Sequence, residues 1–488
     1  MFDIIYVCIL TYIHGTIQKN ASARKGARPK PVPSSQPSPK ALLAAFRRLL
    51  PSRQIWRLAS LQKGRFYDRL FTPLVTLWYL IFQRLAADHT LEKVVADAQA
   101  GGANALRPGL SQKLRSSATV SFSDARQRLP LAFLRQSLAL QARRILALNP
   151  HTLWHNLIVC LLDGSTVRLR PYGDIPRRFP PNGNQARSAP YWSLMRVVVG
   201  FCARSGAALG CAHGSFFRSE QLLACRMMLR SALGPCLYVG DRNFGVFRIV
   251  QTARAVGSHV LLRLTEARAR RLLGRPLRLG SHPVLWSHTA SDRLQPGCRP
   301  TPVPGRLLIV VLRRKGYRSQ TLYLFTSLTD PVDYPVAALV ELYGLRWHIE
   351  LNLRYLKTQM RLAQLECKSA EMARKEWLAG LLAYNVLRTA MLCAALRRQI
   401  SPLLLSFSLC RRHLEHWLAL FGCGTATARD WRRLLDLMGR ALLPRRRKPR
   451  PQEPRKQRHL RQPYPPLIGS REKARQQLKI TPKCSHKN

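Results

Sequence analysis

The order of hydrophobic segments between residues 157 and 264 constrains the fold of this chain more than any other feature. LIVCLLDGSTVRL (157–169) is a continuous apolar run that passes through Asp163-Gly164 into an alternating strand. YWSLMRVVVGFCARSGAALGCAHG (191–214) reads as two strands joined at Arg204-Ser205-Gly206. SEQLLACRMMLRSAL (219–233) has helical spacing, and PCLYVGDRNFG (235–245) is a short buried strand ending in Asp241. GVFRIVQTARAVG (245–257) is a second helix and SHVLLRL (258–264) another strand. This alternation predicts an α/β layer architecture, because the apolar face of each layer needs the other kind of layer to cover it.

The flanks read differently. Residues 1–40 are predicted to be a disordered basic leader, rich in Pro, Ser and Lys from residue 16 onward. Its opening MFDIIYVCILTYIHG has an apolar core without the basic segment and cleavage site of a secretory signal, and a start codon assigned too far upstream is an equal reading. Apolar residues at three-to-four spacing in 71–100 and 123–148 predict a separate all-helical N-terminal domain over 41–150. An α/β domain is expected over 151–400. Within it, 266–330 carries Gly, Pro and Ser punctuation between the alternating runs GRLLIVVLRR and SQTLYLFTSL. That predicts a β-rich insertion, not a continuation of the sheet. C-terminal helices are expected over 401–443, then a basic disordered tail over 444–488 suited to phosphate contact.

Charge narrows the partners. The chain carries 80 Lys+Arg against 24 Asp+Glu, a formal +56, and such an excess repels itself unless a polyanion neutralises it. Nucleic acid is the leading expectation. An anionic membrane is the rival, but the sequence offers no evident run of about 18 apolar residues to span a bilayer. The 12 cysteines are dispersed, without CxxC or zinc-type Cys/His spacing, and read as free, mostly buried thiols of a reducing compartment.

With so few acids, a carboxylate at the end of an apolar segment stands out. Asp163 reads either as an Asx turn closing a hairpin or as a carboxylate leaving a buried strand. Asp241 reads either as the N-cap of the next helix or as a second such carboxylate. Their offset of 78 residues is compatible with strands that become neighbours. The third candidate is Glu350 in YGLRWHIELNLRYLK (343–357). On one helix at about 100° per residue, Tyr343, Arg346, Glu350 and Lys357 fall within roughly 60° of one another, along about 21 Å. A solvated salt-bridge stripe would look similar, although it gains little from a tyrosine and pairs its charges evenly. Two aspartates and a glutamate form a hard oxygen set that suits Mg²⁺ or Mn²⁺ over Zn²⁺. Two such ions about 4 Å apart serve phosphodiester displacement. Trp347 falls beside the stripe and reads as core, and His348 as a surface or satisfied histidine. His151 and His155, at i and i+4, lack an acidic third ligand for zinc.

At these residues the sequence resembles the DDE transposases of IS4-type bacterial insertion sequences, over roughly residues 45–400. The family signature is Tyr, two residues, Arg, three residues, Glu, six residues, Lys, and Tyr343, Arg346, Glu350 and Lys357 meet it without departure. Asp163-Gly164-Ser165 and Asp241-Arg242-Asn243-Phe244 match the settings of its two aspartates. The resemblance implies an RNase H-like mixed sheet with flanking helices and a β-rich insertion before the last catalytic helix. It further implies that Asp163, Asp241 and Glu350 hold a pair of Mg²⁺ or Mn²⁺ ions. Arg346 and Tyr343 would hold phosphate and flanking DNA near the cleaved end, and Lys357 the terminal phosphate. In some members a tryptophan of the insertion stacks on a flipped base; Trp286 is the candidate here, with a core or hairpin-face aromatic as the other reading.

The implied activity is cleavage at the ends of an insertion sequence and joining of those ends to target DNA. The implied partners are terminal inverted repeats and target DNA, with a homodimer in the DNA complex, no membrane, and a bacterial cytoplasmic, nucleoid-associated location. Two other readings stay open at this point: a structure-selective metal-dependent nuclease of the same fold, and a transposase descendant that binds DNA without cutting it.

Overall fold

The computed structural model of the chain describes residues 46–444 apart from 62–69, 150–152, 182–191, 294–300 and 313–319, with isolated helical positions at 41, 44 and 476. The expected leader, the tail beyond residue 444 and His151 lie outside the described residues.

The chain begins with helices α1 (Ser52–Ser60), α2 (Pro73–Leu85), α3 (Leu91–Gln99), α4 (Val120–Arg128) and α5 (Leu131–Leu148). The Thr72 and Thr90 hydroxyls accept from the backbone amides of Val75 and Lys93, satisfying first-turn donors of α2 and α3. Pro130 splits the expected 123–148 helix in two, since it cannot continue the ladder of α4 but can precede the first residue of α5.

Strands and helices then alternate: β1 (Leu153–Trp154), β2 (Leu157–Leu169), β3 (Ser193–Cys202), β4 (Ala208–Ser215), α6 (Glu220–Leu229), β5 (Cys236–Gly240), α7 (Phe247–Ala255) and β6 (His259–Arg263). After these come α8 (Glu266–Leu273), β7 (Gly280–Trp286), β8 (Val303–Leu312) and β9 (Gln320–Thr326). The long strands form one sheet in the order β4-β3-β2-β5-β6-β9-β8-β7. Pairings β2–β5 and β5–β6 are parallel, and those of β2–β3, β3–β4, β6–β9, β8–β9 and β7–β8 antiparallel. Every residue of β5 is buried, as expected of a central parallel strand covered on both faces.

Two expectations need correction. Asp163-Gly164 is not a turn: β2 runs unbroken through it, with Asp163 opposite Val199 and Gly164 opposite Val198. The strands of 266–330 are also not separate from the sheet. β9 returns to pair with β6, Leu261 opposite Thr326, so β9, β8 and β7 extend the same sheet past its parallel centre. Leu324 and Phe325 are fully buried at that junction, and this burial favours joining the sheet over standing apart.

The chain closes with α9 (Val336–Gly344), α10 (His348–Arg354), β10 (Gln364–Leu365), α11 (Ala370–Arg398), α12 (Phe407–Cys423) and α13 (Ala428–Arg440). Helix α11 is long and apolar enough to cross a membrane, contrary to the expectation that no segment is, but its apolar window is wholly buried in the protein. It packs against α2, α5 and α13. Glu376 of α11 accepts from both Arg84 of α2 and Arg126 of α4. The N-terminal helices therefore share one core with the sheet and α11, which corrects the expectation of a separate helical domain. The physical reason is that α11 is apolar on all sides and needs a second layer of helices to cover it.

The two faces of the sheet have different covers. Leu157, Val159, Leu161, Val197, Val199, Leu237 and Val239 belong to the core under α9, α10 and α11. Ile158, Cys160, Leu162, Val198, Cys236 and Tyr238 belong to the core under α6 and α7.

Candidate active site

Every paired row between β2 and β5 has the same offset: Ile158 with Cys236, Val159 with Leu237, Cys160 with Tyr238, Leu161 with Val239. Two steps beyond the last of these rows, that offset brings Asp163 level with Asp241, on strands about 4.8 Å apart. By strict alternation both side chains share the face of Leu161 and Val239, the face covered by α10. Burial chiefly pushes the Asp163 carboxyl up to about 7, and the neighbouring Asp241 and Glu220 charges add to it. The Gly164 amide, which donates to Asp163 Oδ1 at 2.8 Å, and Arg346 oppose that shift.

Asp241 does not cap α7. It closes its own turn, its Oδ1 accepting from Asn243 N at 2.9 Å and its carbonyl from Phe244 N at 3.1 Å.

The YGLRWHIELNLRYLK segment is not one continuous α-helix. Helix α9 passes through a 3₁₀ turn (Leu345–Trp347) into α10, which ends in a π turn (Tyr355–Gln359). A stripe calculated at one rotation per residue is therefore only local, since both turns change that rotation. What survives is contact. Tyr343 and Arg346 are buried, and Asp241, Arg346 and Arg263 lie close enough to Tyr343 to act on its hydroxyl, which burial raises above its usual range. Arg346 Nη2 pairs with Glu350 Oε1 at 3.4 Å, and its guanidinium lies 4.4 Å over the ring of buried Trp347. Arg346 Nε is buried and has no hydrogen-bond partner among the described residues.

Lys357 sits in the π turn. Burial and Arg168 lower its pKa, while nearby Asp163 raises it, so the lysine lies close to the middle of β2 where Asp163 stands. The chain then turns at Arg361 (φ 52°) and drops β10 parallel onto β2 at Arg168 and Leu169.

Arg388 of α11 braces this segment from behind. Although only 2 % exposed, it forms no ion pair with a carboxylate among the described residues. It donates to Asn352 Oδ1 at 2.6 Å and to Tyr384 Oη at 2.8 Å, and lies over the rings of Tyr355, Tyr384 and Phe407. His348 is half-buried beside it, and that burial, with the Arg388 charge, lowers its pKa to about 4.

Asp163 and Asp241 thus come together, with Tyr343, Arg346 and Lys357 around them. Glu350 does not complete a three-carboxylate set: it lies on Arg346, and among the described residues no three Asp, Glu, His or Cys side chains converge to hold a metal ion. The donor chemistry of the aspartate pair, hard and anionic, fits Mg²⁺ or Mn²⁺. Trp286 is not at this site. It is buried on the inner face of β7, edge-on to Phe325 at 4.6 Å, which corrects its assignment to DNA stacking; the period of β7 turns it inward with Val284 while Leu285 faces out. Nor do His155 and Asn156 lie on a helix: both are left-handed (φ 46° and 63°) and form the tight turn between β1 and β2.

One acidic residue escaped the sequence reading. Glu220, first residue of α6, is held by Asn243 and lies close enough to Asp241 and Asp163 to act on both. As an acid following the helix cap Ser219 it looked ordinary; the only available signal was the scarcity of acids.

Residues 154–386 match the family model described as the transposase DDE domain. The chain is 26 % identical over 382 residues to the transposase InsG for insertion sequence element IS4 of Escherichia coli strain K12, covering 76 % of this chain and 82 % of that protein. Among solved structures it is similar to the piggyBac transposase in a synaptic complex with hairpin DNA, with 9 % identity, a TM-score of 0.39, and coverage of 81 % of this chain and 85 % of that one.

Proposed function

We propose that this chain, which belongs to the IS4-type DDE transposases, cuts the ends of an insertion sequence and joins them to target DNA with Asp163, Asp241 and Glu350 as its catalytic carboxylates. The observation that carries this reading is the constant register of β2 and β5, which, continued two residues past its last paired row, brings Asp241 level with Asp163. We read the order β4-β3-β2-β5-β6, with β2 antiparallel to β3 and parallel to β5, as an RNase H-like sheet extended by β9, β8 and β7.

Asp163 and Asp241 would hold divalent cations, Mg²⁺ or Mn²⁺ and two in number, with Glu350 as the third carboxylate. Such ions supply Lewis acidity that activates an attacking oxygen and stabilises a leaving one. The chain's own groups do the rest. Arg346, through the guanidinium end that pairs with Glu350, and Tyr343 bind backbone phosphate beside the cleaved bond. Arriving phosphate competes with Glu350 for Arg346, freeing the carboxylate to turn to the aspartate pair. Lys357, on its π turn near Asp163, takes the terminal phosphate. Water cleaves the phosphodiester at the element end to leave a 3′-hydroxyl, and that hydroxyl then attacks a target phosphodiester, exchanging one P–O bond for another. The basic surface serves terminal repeats and target DNA, the DNA complex is a homodimer, and the protein works at the nucleoid.

The test is a plasmid assay with element ends on one DNA and a target on another. Glu350→Ala abolishes cleavage and joining while end binding persists; a variant that still joins ends removes Glu350 from the site. Cleavage without joining by the unaltered protein would make it a nuclease instead.

A further inference from the structure

Glu220 approaches the aspartate pair from the opposite face of the sheet, and its contacts reach both strands. On one side it fills the place of a side chain at Gly164: a Cβ there would stand 2.2 Å from Glu220 Cδ and 2.5 and 2.6 Å from its two oxygens. On the other side its Oε2 accepts from Asn243 Nδ2 at 2.7 Å. Asn243 is the residue whose backbone amide donates to Asp241 Oδ1. Gln221, next in α6, grips the same asparagine, donating to its carbonyl at 2.9 Å and to its side-chain oxygen at 2.7 Å. The helix start is fixed by Ser219, whose hydroxyl accepts from Leu222 N at 3.2 Å.

We propose that Glu220 is a positioning residue: wedged over Gly164 and bonded to Asn243, it sets the spacing between Asp163 on β2 and Asp241 beyond β5. Residue 164 must then be glycine because the carboxylate occupies the space of its Cβ, not because of its backbone conformation. Asn243 is the link through which the wedge acts on Asp241, and Gln221 keeps that link from rotating.

The proposal rests on the assignment of Asp163 and Asp241 as cation ligands, so the experiment separates the two. Equilibrium binding of Mn²⁺ to the full-length protein is measured by electron paramagnetic resonance, with thermal melting and end-DNA binding as parallel readouts. Asp163→Ala is the control: if it binds Mn²⁺ like the unaltered protein, the ligand assignment fails, whatever Glu220 does. Given that control, Glu220→Ala is expected to weaken Mn²⁺ binding roughly ten- to a hundredfold, the range for residues that orient metal ligands, with melting and end binding unchanged. Gly164→Ala, which displaces the carboxylate, is expected to reproduce the loss. Glu220→Gln keeps an oxygen for Asn243 Nδ2 and is expected to stay within about twofold, because position and not charge matters. Unchanged Mn²⁺ binding by Glu220→Ala overturns the proposal. A Glu220→Gln loss as large as that of Glu220→Ala also overturns it, since the charge itself would then be required.

Discussion

Arg346 holds Glu350 at 3.4 Å, one turn along the same segment, with the guanidinium buried and the carboxylate largely exposed. The residue expected to finish a three-carboxylate site is thus paired with a cation, while Asp241, just past the end of β5, lies close enough to Asp163 on β2 to act on its carboxyl. The Glu350 end of this pair is exposed and the 3.4 Å contact is long, so a DNA phosphate can compete with Glu350 for the guanidinium.

Arg346→Ala should therefore leave the fold intact and impair catalysis by weakening engagement of the cleaved end. Asp163→Asn and Asp241→Asn should each lower the cleavage rate by about a thousandfold or more, as expected when several kcal/mol of metal-assisted stabilisation is lost. Single-turnover cleavage of labelled ends measures both classes. Asparagine variants that retain more than about a tenth of the rate would remove these aspartates from the mechanism.

Lys357→Ala should weaken the complex with cleaved ends uniformly across DNA sequences. One lost phosphate contact lowers the salt dependence of log K by about one unit of slope. Titrations between low and moderate salt check this, and an unchanged slope would mean that Lys357 touches no phosphate.

Arg388→Met should destabilise the protein by about 2–4 kcal/mol, because Asn352 Oδ1 and Tyr384 Oη are left buried without their donor. Urea unfolding gives the value. A neutral result would mean that the ring stack of Tyr355, Tyr384 and Phe407 holds α10 without the guanidinium.

Trp286→Ala should cost about 3–5 kcal/mol, the range for emptying a buried aromatic site, and Trp286→Phe much less. If instead the alanine variant unfolds at the same urea concentration but handles DNA ends differently, the tryptophan contacts DNA after all.

Stability should fall between pH 6.5 and 4. Burial, with Arg84, Arg361 and Arg411 nearby, lowers His89 to about 4, and burial with Arg388 does the same to His348. Burial with Arg135, Arg374 and Arg230 lowers His213 to about 3. Unfolded histidines gain protons near pH 6.5 while the folded ones refuse them, so the unfolded state binds more protons and stability drops as pH falls. Glu376 extends the trend below about pH 4.5. Burial alone would raise it, but Arg84 and Arg126 outweigh burial and hold its carboxyl below the usual range, so its contribution is lost on further acidification. Urea midpoints that stay level from pH 7 to 4.5 would contradict this.

Much of the site is legible in the sequence because its determinants are local. LIVCLL and CLYVG are apolar enough to be buried strands wherever they pair, and an acid at the end of each is conspicuous in so basic a chain. The i, i+3 and i, i+4 spacings within Tyr343, Arg346 and Glu350 bring each neighbouring pair together one turn apart, whether that turn is α or 3₁₀. Tertiary structure decided the rest. Asp163 became a mid-strand residue because β3 continues the ladder past it, opposite Val199 and on to Ser193, which no local propensity for a turn at Asp-Gly can outweigh. β9 joined β6 because an unpaired edge beside Leu262 and Leu324 would leave buried backbone groups unsatisfied. Trp286 went to the core on the parity of a strand whose register is set by β8. Glu220 reached Gly164 because α6 crosses the far face of the sheet. Sequence determined which groups could act; the pairing of distant strands decided which of them meet, because register across a sheet is a long-range property that no short segment carries.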